Sequence, residues 1–304
     1  MSTAACAIQV DYWFEEITDE MAEEVAASGL PALVGRLRGL KPFPRTALRL
    51  LELAGDPGHA TAEIVRVIEG DPGIASRVLR AVNSAAFGLP SKCASVARGV
   101  TLLGARTISE IASAFAMFDM FSATGPAAAL REHALAVAAL GRALATDVRR
   151  LRGIDLFTCG LMHDLGKLLM LQVDQGQYEP MLAATAGAGA LHQGERDRYG
   201  YDHALLGAHL LAAWNVPEPV PKAVAWHHQI ARALSAGGDI ADIVAVVAAA
   251  DELAYLPSPT PDPVALEALA GLPAFRHLGL DAVTLCTRWE HFARARADVA
   301  DLAK

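Results

Sequence analysis

The sequence predicts an all-α fold built as a two-lobed helical bundle, and three observations carry that prediction. Apolar residues recur at a spacing near 3.6 from Pro44 onward, no stretch alternates with the period of two that a strand needs, and the interruptions fall at Pro- and Gly-containing turns. With 304 residues, 53% of them hydrophobic and 20% charged, the chain can bury a substantial core as one large domain or two intimate lobes.

Residues 1–28 read as an acidic helical extension. Between Tyr12 and Ala27, Phe14, Ile17, Met21 and Val25 share one face, while Glu15, Asp19 and Glu23, and likewise Glu16, Glu20 and Glu24, stack like charges one turn apart. Such a helix is weak alone, so its apolar face is expected to dock on the body or on a second copy, which leaves a homodimer open.

Residues 29–122 read as an N-terminal helical lobe. Leu48, Leu51 and Leu53, then Ile64, Val67 and Ile68, form two apolar stripes separated by Asp56-Pro57-Gly58. Asp71-Pro72 offers an N-cap followed by proline at the first helical position, and Ile74, Val78, Leu79 and Val82 continue that helix to Gly88-Leu89-Pro90. Val96, Val100, Leu102 and Leu103 lead into Gly104, and Thr107 to Phe121 reads as a deeply buried helix.

Ser122-Ala123-Thr124-Gly125-Pro126 marks the boundary to a second helical lobe, residues 126–256, with helices centred near Val137, Leu161, Leu206, Val224 and Val247. Residues 257–304 begin with a linker rich in proline, Pro257 to Pro263, and end in two helices, around Pro263–Ala270 and Ala282–Leu302.

The net charge is −8, and the acidic extension accounts for nearly all of it. A nearly neutral body without a dense Lys/Arg stripe argues against duplex nucleic acid as a partner. Apolar runs such as Ile243–Val247 stop short of a membrane span, and the acidic start lacks a signal peptide's basic region, so a cytoplasmic protein off the membrane is expected. Cys6, Cys93, Cys159 and Cys286 are widely spaced and suit reduced thiols.

The chemistry lies in an ordered series within the second lobe: His133, His163-Asp164, His203, His227-His228 and Asp251. Imidazole and carboxylate together are what one or two divalent transition ions require, with Fe, Mn or Zn suited to such N/O ligands. Adjacent residues on a helix point about 100° apart, so His163 and Asp164 reach one ion from opposite sides, or the carboxylate bridges two. Lys167 falls on the same face and could hold Asp164 or meet a substrate phosphate. Asp251 sits among alanines and, if buried, needs a metal, a positive partner or several donors. A lone His133 is more often a plain core or surface residue; His227 and His228 at a helix end, and His203 at a helix start, also have ordinary local roles. His59, His192, His209, His277 and His291 lack such company and read as structural or solvated.

The order His133, His163-Asp164, Asp251 resembles the HD superfamily of helical metal-dependent phosphohydrolases, and His203 with His227-His228 resembles its HD-GYP branch. A longer resemblance, from about Gly35 to Leu253, is to the HDOD domain, the regulatory relative of those enzymes. It rests on Leu50-Leu51-Glu52-Leu53, Ile68-Glu69-Gly70-Asp71-Pro72, Asn83 to Pro90, Leu102-Leu103-Gly104, Met162 to Lys167 and Trp214-Asn215-Val216-Pro217. The first lobe favours HDOD. After His228, where an HD-GYP phosphodiesterase continues into Gly-Tyr-Pro, this chain has Gln229-Ile230-Ala231. Ala129 stands where some of those enzymes place a glutamate ligand for a third metal.

The resemblance implies a signalling or regulatory module that binds a signalling protein or a nucleotide-type small ligand, with a retained metal site and no efficient turnover. Its ligand set would be His133, His163, Asp164, His203, His227, His228 and Asp251. The alternative is a dinuclear phosphohydrolase, with Asp164 bridging the ions and Lys167 neutralising substrate charge. A third reading is a scaffold in which the cluster is only a buried polar network.

Overall fold

The computed structural model describes residues 29–30, 33–35, 37, 43–54, 61–83, 89, 91–121, 124–145, 156–185, 188–256 and 262–300. Every regular element among them is a helix. The acidic extension, the Asp56-Pro57-Gly58 break, most of the Asn83-to-Pro90 motif and residues 257–261 lie outside the described residues.

Five helices, α1 (Arg45–Ala54), α2 (Thr61–Glu69), α3 (Pro72–Val82), α4 (Val96–Leu103) and α5 (Ala105–Phe118), pack together, with α5 touching the other four. Helix α5 is buried without interruption from Ile108 to Phe118, its apolar and small residues broken only by Glu110, whose carboxylate is paired. Asp71 caps α3 as its sequence predicts, accepting from the Gly73 and Ile74 amides at 3.1 Å. Asn83 ends α3: its side-chain amide donates to the Leu79 and Cys93 carbonyls, and its oxygen accepts from the Cys93 amide at 2.7 Å. This one side chain thus ties the end of α3 to the segment entering α4.

The second set is organised around α6 (Pro126–Ala145), on which α7 (Leu156–Met162), α8 (Leu165–Val173) and α14 (Gly238–Tyr255) pack. Between α8 and α14 run α9 (Gln175–Ala184), α10 (Ala188–Tyr199), α11 (His203–Ala213), α12 (Val220–Trp226) and α13 (Ile230–Ala236). The chain closes with α15 (Pro263–Ala270), α16 (Pro273–Leu278) and α17 (Ala282–Ala300); α17 lies on α6 and α16 on α14. Where the sequence suggests two C-terminal helices there are three, because Pro273 opens a further short helix that Gly279, at φ 69°, closes.

Two close approaches position the second lobe. A Cβ on Gly160 would lie 2.8 Å from the Ala138 Cα, so glycine lets α7 settle onto α6. A Cβ on Gly207 would come 3.1 Å from the Gly166 nitrogen, where α8 crosses α11. The two sets meet through α5 and α7, and through the buried carboxylate of Glu110 on α5, which accepts from Arg142 of α6 at 2.7 Å. No described helix is long and apolar enough to cross a membrane.

Candidate metal centre

His163 and Asp164 do not share a helix. They form the turn between α7 and α8, so the 100° argument from a continuous helix is replaced by a junction in which both side chains turn inward. Asp164 occupies the N-cap position of α8 yet caps nothing with its side chain. Its oxygens point to two different groups.

Asp164 Oδ2 accepts from Lys167 Nζ at 2.6 Å and lies 3.3 Å from His163 Nε2 and 3.8 Å from His133 Nε2. Asp251, from α14, closes that side: its Oδ1 is 2.9 Å from His133 Nε2 and 3.7 Å from His163 Nε2. Asp164 Oδ1 faces the other way, 3.3 Å from His203 Nε2 and 3.8 Å from His227 Nε2. His228 completes this side, with its Nε2 3.0 Å from His203 Nε2. All seven predicted residues and Lys167 therefore meet at one place, as two groups, His133-His163 and His203-His227-His228, on either side of Asp164.

The far nitrogens of three imidazoles are held from behind, which sets their tautomers. His163 Nδ1 donates to the Gly160 carbonyl and His227 Nδ1 to the Val224 carbonyl, each at 2.7 Å. His203 Nδ1 donates to Glu195 Oε2 at 2.6 Å, and the His203 amide donates to the same oxygen at 2.9 Å. Glu195 Oε1 in turn accepts from the Tyr178 hydroxyl at 2.5 Å. Tyr178, Glu195 and His203 are all fully buried.

Burial opposes a positive charge on His163, but Asp164 and Asp251 outweigh it and raise its pKa to about 10. Burial likewise opposes ionisation of the two carboxylates, and their charged and hydrogen-bonding partners overcome it. Asp164 is held far below its ordinary range by His163 and Lys167, and Asp251 by His133 and His163. His227 moves the opposite way, down to about 3, through burial and then repulsion from His163 and His203. His228 is lowered by burial and then by repulsion from His227 and His203.

Three buried polar atoms of the cluster have no hydrogen-bond partner: His163 Nε2, Asp164 Oδ1 and His227 Nε2. In a native interior such atoms call for an unseen partner. The 3.0 Å between His203 Nε2 and His228 Nε2 also equals the ~3.0 Å separating two nitrogens bound ~2.1 Å from one ion at right angles. The donor set therefore fits a divalent ion.

A cavity of about 340 Å³ adjoins the cluster, with His133 and Lys167 in its lining. Tyr255, from the end of α14, also lines it and packs at a tilt against His133 with ring centroids 4.8 Å apart.

Sequence reasoning missed three residues here. Glu195 and Tyr178 escaped because α9 carries an internal Pro180 and α10 is strongly polar, so neither shows the apolar stripe that announces a helix. The available signal was a carboxylate eight residues before a candidate histidine ligand. His192, set aside as lacking partners, stacks on His228 at 4.8 Å with its Nδ1 buried and unbonded. His277 is structural, pairing with the buried Asp242 at 2.7 Å.

The family model of the HDOD domain matches residues 40–230. An uncharacterised protein of Treponema pallidum (strain Nichols) is 25% identical over 210 residues; the match takes in 66% of this chain but only 40% of that protein. Among solved structures, an HDOD domain protein of unknown function from Geobacter sulfurreducens superposes with a TM-score of 0.73 at 20% identity, covering 89% of this chain and 97% of the other. A protein from Shewanella amazonensis SB2B, provisionally assigned as a phosphohydrolase, superposes with a TM-score of 0.68 at 20% identity, covering 90% and 98%. At such identities these structures establish a shared fold.

Proposed function

The chain belongs to the HDOD domain family, and from that we propose that it is a regulatory module which holds a divalent metal ion in its His/Asp cluster and binds a protein or small-molecule partner without efficient turnover. The observation that supports the metal is the convergence of unbonded buried atoms on both faces of Asp164.

His203, His227, His228 and Asp164 Oδ1 would hold an ion on one side. On the other, His133 and Asp251 already satisfy each other, and Lys167 already occupies Asp164 Oδ2. The first side is therefore the better candidate for a tightly held ion, and His163 with His133 and Asp251 for a second. Bound there, a divalent ion supplies fixed positive charge and Lewis acidity. The protein's own part is to hold the imidazoles by Gly160, Val224 and Glu195, and to keep Lys167 on Asp164 as a counter-charge.

Without the Gly-Tyr-Pro continuation after His228, the site lacks the segment that characterises the phosphodiesterase branch it resembles. The test is elemental analysis of protein purified without chelator, together with melting temperature before and after chelation. Bound Fe, Mn or Zn whose removal lowers the melting temperature supports the reading; a metal-free protein indifferent to added ions would leave only a buried polar network.

A second reading, metal-dependent phosphoester hydrolysis, is favoured by one observation: the cavity reaches His133 and Lys167, so a small substrate has room beside the cluster. Turnover of a phosphoester by metal-replete protein, lost in His163→Ala, would support it over the regulatory reading.

A further inference from the structure

The cavity beside the cluster is built for a narrow class of ligand. Its walls are apolar: Leu130 comes from α6, Leu182 from α9 and Leu191 from α10. Its described formal charges are one cation, Lys167, and one carboxylate, Glu179.

Several hydrogen-bonding groups along it are spent within the protein, the Tyr255 hydroxyl excepted. Thr185 Oγ1 donates to the Met181 carbonyl at 2.8 Å, His133 Nε2 is engaged by Asp251 at 2.9 Å, and one hydrogen of Lys167 goes to Asp164 at 2.6 Å. An ammonium has three donors, so Lys167 retains capacity for one anionic group. A nucleotide entering this space would desolvate its sugar hydroxyls and base edges against leucines, and each group left unpaired would weaken binding. A second phosphate would find no further cation among the described residues, and Glu179 would repel it.

We infer that the cavity takes a small monocarboxylate with a compact apolar body, its head at Lys167 and its body against Leu130, Leu182 and Leu191. This deepens the regulatory reading and rests on it in one respect, that the cavity is the ligand route to the His/Asp cluster. The volume of about 340 Å³ lies at the lower end of the range for small-molecule sites, which suits such a ligand better than a dinucleotide.

The test uses the full chain, titrated with octanoate, with octylamine as the same body bearing the opposite charge, and with AMP as a nucleotide. Heat of binding and melting temperature are both read. Saturable octanoate binding that raises the melting temperature is expected, with octylamine and AMP weaker by more than about tenfold. Ala129→Trp and Ala183→Trp each place an indole at the cavity from an exposed position, on α6 and on α9. Each is expected to weaken octanoate more than about tenfold while metal content stays as in the wild type; should one variant fail to fold, the other carries the test. Absent saturable octanoate binding, octylamine or AMP binding as tightly, or wild-type affinity in the folded variants would overturn the inference. Metal content measured on the same samples separates the two readings. Octanoate binding to metal-free protein would overturn the metal site and leave this inference standing, and metal without octanoate binding would do the reverse.

Discussion

Gly166 and His203 are in direct backbone contact: a Cβ placed on Gly166 would lie 1.9 Å from the His203 carbonyl oxygen. The residue two positions after Asp164 is thereby pressed against the first residue of α11, and this contact sets the 3.3 Å approach of His203 Nε2 to Asp164 Oδ1. Gly166→Ala forces two backbones apart and is expected to cost ~3 kcal/mol or more, or to prevent folding. Urea midpoints check it, with Gly207→Ala as the milder comparison, since its Cβ meets the Gly166 nitrogen at 3.1 Å. Equal, small effects in both variants would contradict the packing described.

Glu195→Gln replaces one of the two accepting oxygens behind His203 and Tyr178 with an amide NH₂, which cannot accept from either. If His203 is a ligand, metal affinity is expected to fall 10–100-fold, the usual cost of losing a carboxylate that orients a histidine. A competition titration against a chromophoric chelator measures it. A stability loss with unchanged metal affinity would make Glu195 a packing residue only.

Metal uptake is expected to strengthen as pH rises. In the metal-free cluster His163, raised to about pH 10 by Asp164 and Asp251, carries a proton at neutral pH, and an ion seated against His163 must displace it. Calorimetry in buffers of different ionisation enthalpy should register proton release on loading. No dependence of the binding heat on the buffer would show that the proton is absent or retained.

Acid should destabilise the fold through His209, buried on α11, whose pKa burial lowers to about 4. Unfolded, the same group protonates near pH 6.5, so between about pH 6.5 and 4 the unfolded chain binds the extra proton. The stability this neutral histidine contributes is fully present above pH 6.5 and lost as pH falls towards 4, up to ~3 kcal/mol. His209→Gln is expected to flatten that part of the stability–pH curve relative to the wild type; parallel curves would assign the acid sensitivity elsewhere.

Much of this was legible in advance. The helical period exposed α1 to α6, Asp71-Pro72 announced the start of α3, and the His/Asp series pointed to one polar cluster in the second lobe. Tyr178 and Glu195 were not legible, because their helices are polar or carry an internal proline, and periodicity detects only helices with a sharp apolar face. His192 was misjudged for a related reason: its company, His228, lies on a different element and far along the chain.

The amino-acid sequence by itself determined the helical class and which side chains are chemically able to meet, since these depend on local spacing and residue type. Only the tertiary structure decided that Asp164 sits at a helix junction with its two oxygens facing two histidine groups, and that Tyr178 and Glu195 stand behind His203. It also decided that an apolar cavity opens at Lys167. These are distances between elements remote in sequence, set by glycine contacts and burial that no local pattern encodes.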